Sequence, residues 1–543
     1  MLAEDQRITK KDFFLALFAF VITLTVHLVR LNYWTPLPDE INYALSARHL
    51  ITNRTLIGND IMFFPPLFVY SAALLQKFGV ELLLSVRLIS CIAGALILTL
   101  LYLGLRAIYS RKTTLIATGI TFSLFTFHLY SRLGQVEILM LMFITLSIMG
   151  TLHNKPFLAG FSLGLALWTK EAALGTLLSL LIYFILQRQG RGRLLTRFLA
   201  GVTGPFILLL VFGLISGQNL LLEIMASRGY DINMLKLAPF ANFIATGANL
   251  SFNLFPRLFY KWEFLAFVLL APVTTLFFLF LTIKSGLKSR PFPLLITCYL
   301  LVHLTFFFFF SRKFDYYLLP AAMLIVLVSS CELFEHENSV KLQFIGKILI
   351  SALVICNIYA DGFLYCNRGT HQSFEVAINN IPAGTVVATS HPTLLDYLTK
   401  RSKKSLKIMP LFEPAGYRLN QKILRDSTVK FVILKKFYYD RLRHTYPDDW
   451  DSLSYHFADK EEFIDFTWSL WQTTEKQIDR QSNLFRSLAE FAKPIGVIVL
   501  RRTDRKEQDS QSTLFSVGSE ERCLNQAIDF FRFTNYSYAN KCR

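Results

Sequence analysis

A small set of charged residues stands out because each falls at the edge of a long apolar run. Asp39 and Glu40 follow the first run, in the segment Trp34-Thr35-Pro36-Leu37-Pro38-Asp39-Glu40. Arg132 and Glu137 bracket the start of another run, Lys170 and Glu171 mark a turn between two more, and Arg312 and Lys313, with Asp315, open a later one. Ionisable side chains at membrane depth are costly, and those that persist usually line a cavity or a pathway. Taken singly, each group also has a purely structural reading. Asp39-Glu40 reads as an interfacial acidic pair, Arg132 as an anchor snorkelling to the interface, Lys170-Glu171 as mutual neighbours at a helix end, and Lys313 with Asp315 as a local ion pair. Together they would make a polar pocket at one boundary of the bilayer, suited to an anionic, lipid-linked substrate. In such a pocket a carboxylate can take a proton from an attacking hydroxyl or amine. Cations can hold a phosphodiester and stabilise the charge that grows as its bond to carbon breaks.

The elements that must position these residues are membrane helices. The chain has 543 residues, of which 53% are hydrophobic, 15% aromatic and only 17% charged. A soluble domain carries about a quarter charged residues. The apolar runs predict about eleven transmembrane helices, near 13–31, 82–105, 113–130, 135–151, 156–170, 172–187, 198–216, 264–283, 292–310, 316–332 and 343–361. The first run follows Arg7, Lys10 and Lys11, and no small-residue cleavage site comes after it, so it reads as a signal anchor. Residues 1–362 form the predicted membrane domain. Its first outer loop is 32–81, where Asn59–Gly79, with Phe63-Phe64-Pro65-Pro66, reads as a helix lying in the interface; a second outer loop is 217–262.

Orientation follows from lysine and arginine in the connections. Arg7/Lys10/Lys11, Arg106/Arg111/Lys112, Lys155, Arg188/Arg191/Arg193/Arg197 and Lys284/Lys288/Arg290 alternate correctly for the cytoplasmic side. The segment 333–342 is the exception, since Glu332, Glu335 and Glu337 make it acidic. The formal charge of +18 is therefore largely topological and argues against a nucleic-acid partner. An odd number of spans places Asp39, Lys170, Lys313 and the C-terminal region, 363–543, on the periplasmic (or lumenal) face. That region reads as a soluble mixed α/β domain: β-prone runs at 385–389, 430–434 and 496–500 alternate with helical stretches such as 393–398. It shows no glycine-rich phosphate loop and no triad spacing, which suits a cap or acceptor-recognition domain. The seven cysteines make no metal-ligand spacing; Cys366, Cys523 and Cys542 permit one disulfide in an oxidising compartment.

The order of motifs resembles a known family. An acidic pair follows span one; then come a Pro-Pro helix, Arg87-Leu88-Ile89-Ser90 opening span two, and Tyr130-Ser131-Arg132-Leu133-Gly134-Gln135-Val136-Glu137. Gly160-Phe161-Ser162-Leu163-Gly164, running on to Lys170, and Arg312-Lys313-Phe314-Asp315-Tyr316-Tyr317-Leu318-Leu319-Pro320 complete the series. This resembles the protein O-mannosyltransferase and lipid A aminoarabinose transferase family of the C-type glycosyltransferase superfamily, well over residues 33–190, more thinly to 320, and not in the tail. The resemblance implies a multi-pass inner-membrane enzyme of the cell envelope. It would transfer a hexose or pentose with inversion from a polyprenyl-phosphate (undecaprenyl-phosphate) carrier to a lipid, glycan or protein acceptor. It implies Asp39 as catalytic base with Glu40 in support, and donor contacts from Arg132, Glu137, Lys170, Glu171, Arg312 and Lys313. Glu137 stands where the family more often has aspartate. Phe63 and Phe64 stand where the aminoarabinose enzymes have an acid and a lysine, which argues against that particular transfer. No metal and no organic cofactor are predicted. A transporter or flippase for a lipid-linked saccharide, and a glycan ligase or polymerase using a lipid diphosphate, are the competing readings; the crowding of charge on one face and the absence of a clear internal repeat weigh against transport.

Overall fold

The computed structural model describes residues 8–53, 67–186, 191–216, 262–287, 291–309, 315–335, 340–366, 372–413, 418–435, 446–464 and 496–503, with a few single positions between them. Apolar runs become helices because hydrocarbon offers no partner for a backbone N–H or C=O, so each must be satisfied within its own segment. Four described helices are long and apolar enough to cross a membrane: Lys10–Tyr33, Leu82–Arg106, Leu318–Glu335 and Val340–Gly362. Shorter apolar helices, Pro156–Thr169, Glu171–Leu186, Ala271–Leu287 and Pro291–Thr305, pack among them. The N-terminal helix α1 (Lys10–Leu28) turns Phe13, Phe14, Leu17, Phe18 and Val21 outward, a face that lipid would cover.

The outer segment holds two helices, α2 (Pro38–Asn53) and α3 (Leu67–Lys77). They pack on one another, with Tyr43 and Phe68 edge to face at 5.4 Å. The part of the expected interfacial helix that carries Phe63 and Phe64 lies outside the described residues, as does most of 217–262. Next come α4 (Leu82–Arg106), α5 (Arg111–Phe122), α6 (Phe125–Arg132), α7 (Val136–Leu152), α8 (Pro156–Thr169), α9 (Leu174–Leu186) and α10 (Arg191–Ser216).

The run expected as one span at 113–130 is in fact two helices, α5 and α6, broken at Ser123-Leu124. The break is stapled from far along the chain: Phe125 N–H donates to Asn357 Oδ1 at 2.8 Å, on the Val340–Cys366 helix. A second bend of 116° separates α6 from α7. Gly134 in that bend lies so close to α4 that a Cβ there would sit 2.6 Å from Val86 Cγ2. Helices α8 and α10 also meet through glycines. A Cβ on Gly160 would come within 1.9 Å of the Phe198 carbonyl oxygen, and one on Gly201 within 2.2 Å of that of Phe157. Small residues let membrane helices approach this closely, and packing there replaces the hydrophobic drive that lipid cannot supply.

The two ends of the bundle differ. At one end Asp12 is buried and accepts from Tyr102 Oη (3.1 Å), Arg106 Nε (3.2 Å) and Arg111 Nε (2.9 Å). The Ser110 N–H and hydroxyl donate to Glu335 (3.0 and 2.7 Å), and the Tyr109 hydroxyl to Glu332 (2.9 Å). Glu332 and Glu335, two of the acidic residues that spoil the charge pattern near 333–342, are thus engaged by the α4–α5 turn; Glu337 lies outside the described residues. The start of α2, the bend after α6 and the end of α8 lie at the other end.

Beyond the Val340–Cys366 helix, a five-stranded sheet is built from β1 (Val386–Thr389), β2 (Lys407–Pro410), β3 (Val429–Lys435), β4 (Asp459–Ile464) and β5 (Gly496–Arg501). Its order is β2-β1-β3-β5-β4, parallel among the first three and antiparallel at β5 and β4. Alternation along the strands divides its apolar residues between two cores. Val387, Ile433, Val497 and Val499 pack with Phe374, Leu394 and Leu398 in a core continuous with the membrane helices. Val432, Leu434, Ile498 and Leu500 pack outward with Ile423, Leu453 and Phe457. The helix Pro392–Arg401, between β1 and β2, lies against α2. Cys523 and Cys542, and the side chain of Cys366, are outside the described residues.

Candidate active site

Pro38 opens α2 at a position where the missing N–H costs no helix hydrogen bond, and Asp39 and Glu40 occupy the favourable acidic first turn. The two carboxylates then diverge. Glu40 is fully buried. Its Oε1 accepts from Arg87 Nε and from Gly134 N–H, both at 2.8 Å, and its Oε2 from Leu37 N–H at 2.7 Å and Arg87 Nη2 at 3.2 Å. Arg87, also fully buried, donates onward to the carbonyls of Leu31 (2.7 Å) and Trp34 (3.1 Å). Glu40 therefore pins α2, α4 and the α6–α7 bend together, and its acceptor capacity is spent on that.

Asp39 points the other way. Water reaches its side chain, yet protein encloses it at slightly longer range, the combination that a recess produces. Burial pushes its carboxyl above the usual aspartate range, and the Glu137 charge adds to this. Lys170 and then Lys435 oppose the shift, and Glu40 adds a smaller push upward.

Facing Asp39 is a second acid–base pair. Lys170 Nζ, at the end of α8, donates to Glu137 Oε1, at the start of α7, and both side chains are 2% exposed. Glu137 Oε2 is buried with no hydrogen-bond partner among the described residues. Lys170 thus has a partner 33 positions away; its neighbour Glu171 is exposed on the short 3-10 turn Glu171–Ala173.

Arg132 belongs to a different cluster. Its Nη2 donates to the carbonyls of Val29 (2.7 Å) and Arg30 (3.2 Å), and its guanidinium lies 4.1 Å from the ring centre of Tyr365. Close by, His27 and His128 share a 3.2 Å hydrogen bond, and His128 lies 3.6 Å from Asp361. Arg312 and Lys313 are outside the described residues. The structure therefore brings Asp39, Glu40, Glu137 and Lys170 together and holds Arg132 in a separate cluster, while Glu171 follows Lys170 on an exposed turn. Among the described residues, no three histidine, cysteine or acidic side chains are grouped to hold a metal ion.

Two residues of this site were missing from the sequence-based set. Arg87 has a visible signal, since a buried arginine within an apolar span must have a counter-charge. Lys435 has none, because its neighbours in sequence say only that it ends a strand.

Residues 64–215 match the family described as dolichyl-phosphate-mannose-protein mannosyltransferase. That stretch contains Arg87, Glu137 and Lys170 and stops short of Asp39. No curated protein sequence matches the chain. Among solved structures, ArnT from Cupriavidus metallidurans in the apo state superposes with a TM-score of 0.51 at 10% identity, covering 89% of this chain and 97% of that one. The same protein bound to undecaprenyl phosphate gives 0.47 at 10% identity, with the same coverage. The Archaeoglobus fulgidus oligosaccharyltransferase in its apo form gives 0.50 at 13% identity, covering 85% and 75%. The chain has the fold of the C-type glycosyltransferase superfamily.

Proposed function

We propose that the protein is an inverting glycosyltransferase. It moves a sugar from a polyprenyl-phosphate carrier to a hydroxyl or amine of a lipid, glycan or protein acceptor at the outer face of the membrane. The observation that carries this reading is Asp39: a carboxylate that water can reach, held in a recess beside the Glu137–Lys170 pair, with its own neighbour Glu40 fully engaged elsewhere. The family matched over 64–215 is described by a sugar carried on a polyprenyl phosphate, which supports the class of donor. We also read residues 1–362 as the span-forming domain of about eleven helices, and 363–543 as a domain on the same face as Asp39.

The chemistry follows from the geometry. The acceptor oxygen or nitrogen attacks the anomeric carbon from the side opposite the phosphate. Asp39 takes its proton as the new bond forms, which is general base catalysis. The bond from carbon to the phosphate oxygen breaks, and its electron pair stays on the phosphate. Lys170, whose partner Glu137 keeps one oxygen unengaged among the described residues, offers positive charge to the departing phosphate; Arg312 and Lys313 are proposed to do the same. One displacement inverts the anomeric centre and leaves no covalent sugar on the protein.

The test is transfer by purified, lipid-reconstituted protein. Activity is expected with a polyprenyl-phosphate sugar, with inversion, and none with a nucleotide sugar alone. Efficient transfer from a nucleotide sugar without carrier lipid overturns the reading.

A further inference from the structure

The parallel strands run in the order β2-β1-β3, so the chain leaves β1 to one side and returns on the other. The first connection carries Pro392–Arg401 on the face shared with the membrane helices, and the second carries Lys422–Arg425 on the opposite face. Where two such connections part, a crevice opens at the carboxyl ends of the strands, the usual ligand position in an open α/β sheet. In this protein that edge holds Ser390 and His391, after β1, and Lys435, at the end of β3. They are tied together: Ser390 N–H donates to the Ile433 carbonyl at 3.2 Å, and Lys435 N–H to Ser390 Oγ at 3.3 Å. Ile433 and Lys435 are two apart on the strand and share a face. Ile433 packs in the core continuous with the membrane helices, whereas Val432 and Leu434 pack in the outer one.

The crevice abuts α2. Thr393 Oγ1, in the first turn of Pro392–Arg401, donates to Asn42 Oδ1 at 3.2 Å. Asn42 lies one turn beyond Asp39 on the same face of α2, because residues three apart on a helix are neighbours. The contact therefore sets the edge that carries Ser390, His391 and Lys435 beside the Asp39 end of α2.

We propose that Lys435 is a positioning residue of the Asp39 site: the crevice of the C-terminal sheet walls the recess from outside and presents an ammonium group to the Asp39 carboxylate. This rests on the reading of Asp39 as the base. The charges that act on Asp39 are Glu137 from α7, Lys170 from the end of α8, Lys435 from β3 and Glu40 from its own helix, with Glu137 and Glu40 opposing ionisation and the two lysines favouring it. Arg87 of α4 is engaged by Glu40. His391 packs against Phe374 and Tyr438 and is held down to about 3 by burial and by Lys435, so it stays neutral. Lys435 is then the charge that the sheet itself supplies, and without it Asp39 binds its proton up to higher pH.

The test compares full-length, reconstituted wild type with Lys435→Gln and Lys435→Arg. Carbodiimide modifies protonated carboxyls, so labelling of Asp39 against pH, read by peptide mass spectrometry, reports its protonation without any transfer activity. In Lys435→Gln the labelling midpoint is expected to move to higher pH, and Lys435→Arg to restore it. Transfer by Lys435→Gln should fall several-fold on the acid limb and converge with wild type at alkaline pH, with thermal stability unchanged. If Lys435→Gln does not fold, Lys435→Met carries the same comparison. An unmoved midpoint in folded protein overturns the proposal, and so does a rise in acceptor KM with an unchanged acid limb. A shifted midpoint in a protein that transfers nothing from a polyprenyl-phosphate sugar would separate this inference from the donor assignment.

Discussion

The two ends of the helix bundle handle charge in opposite ways. At the Asp12 end each described carboxylate is engaged: Asp12 by Thr9, Tyr102, Arg106 and Arg111, Glu332 by Tyr109, and Glu335 by Ser110. At the Asp39 end, among the described residues of the site, the Glu40–Arg87 pair alone is closed in this way. The Glu137–Lys170 pair leaves a buried carboxylate oxygen without a partner among the described residues, and Asp39 opens on a recess. A buried charge with every partner satisfied holds helices in register. A charge left partly unsatisfied stores affinity for something that is not yet there. The difference separates architecture from chemistry more sharply than residue type does, since both ends pair carboxylates with buried arginines.

The largest effect expected from breaking this contrast is at Asp39. Asp39→Asn keeps the shape and removes the base, so turnover should fall by about 10²- to 10⁴-fold while donor affinity and melting temperature hold. Near-normal turnover in well-folded protein would refute the assignment. Glu40→Ala should behave in the reverse sense. It strands the Arg87 guanidinium in the bundle, at about 3–5 kcal/mol of stability, seen as early melting or loss of folded protein. Lys170→Ala comes next: a charge-assisted hydrogen bond is worth roughly 1.5–3 kcal/mol, so donor affinity should weaken by about ten- to a hundred-and-fifty-fold, measured by binding of labelled lipid. Arg111→Ala, at the closed end and partly exposed, should change neither turnover nor donor affinity, and should lower stability less than Glu40→Ala.

The pH profile sharpens the same contrast. A base must be deprotonated to act, and the Asp39 carboxyl is pushed above the ordinary aspartate range. Turnover should therefore rise with pH through that raised value, and the acid limb should vanish in Asp39→Asn. An acid limb at the pH of an unperturbed aspartate would show that Asp39 is not the group titrating.

What could be read in the sequence was whatever depends on composition and near neighbours. Asp39-Glu40, Glu137 and Lys170 stand out because charge at the end of an apolar run is expensive, and that expense is local. The contact of Lys170 with Glu137 could not be read, because adjacency points only to Glu171 and Glu137 arrives from 33 positions away. The division of labour between Asp39 and Glu40 was hidden for the same reason, since it depends on Arg87 and Gly134 arriving from elsewhere. An apolar run such as 113–130 gives no warning of a break whose freed N–H is taken up by Asn357, 232 positions away.

The helix Leu318–Glu335 carries a consequence of another kind. Its central window is 89% buried, against 22% for the N-terminal helix, and it packs against α5, the Trp262–Leu287 helix and the Pro291–Phe309 helix. A segment that shows so little of itself to lipid is a keystone set after the arch. During synthesis the earlier helices must hold a slot for it within the membrane, and a chain cut off before Leu318 would present that slot, bare, to whatever chaperone or quality-control protease patrols the bilayer.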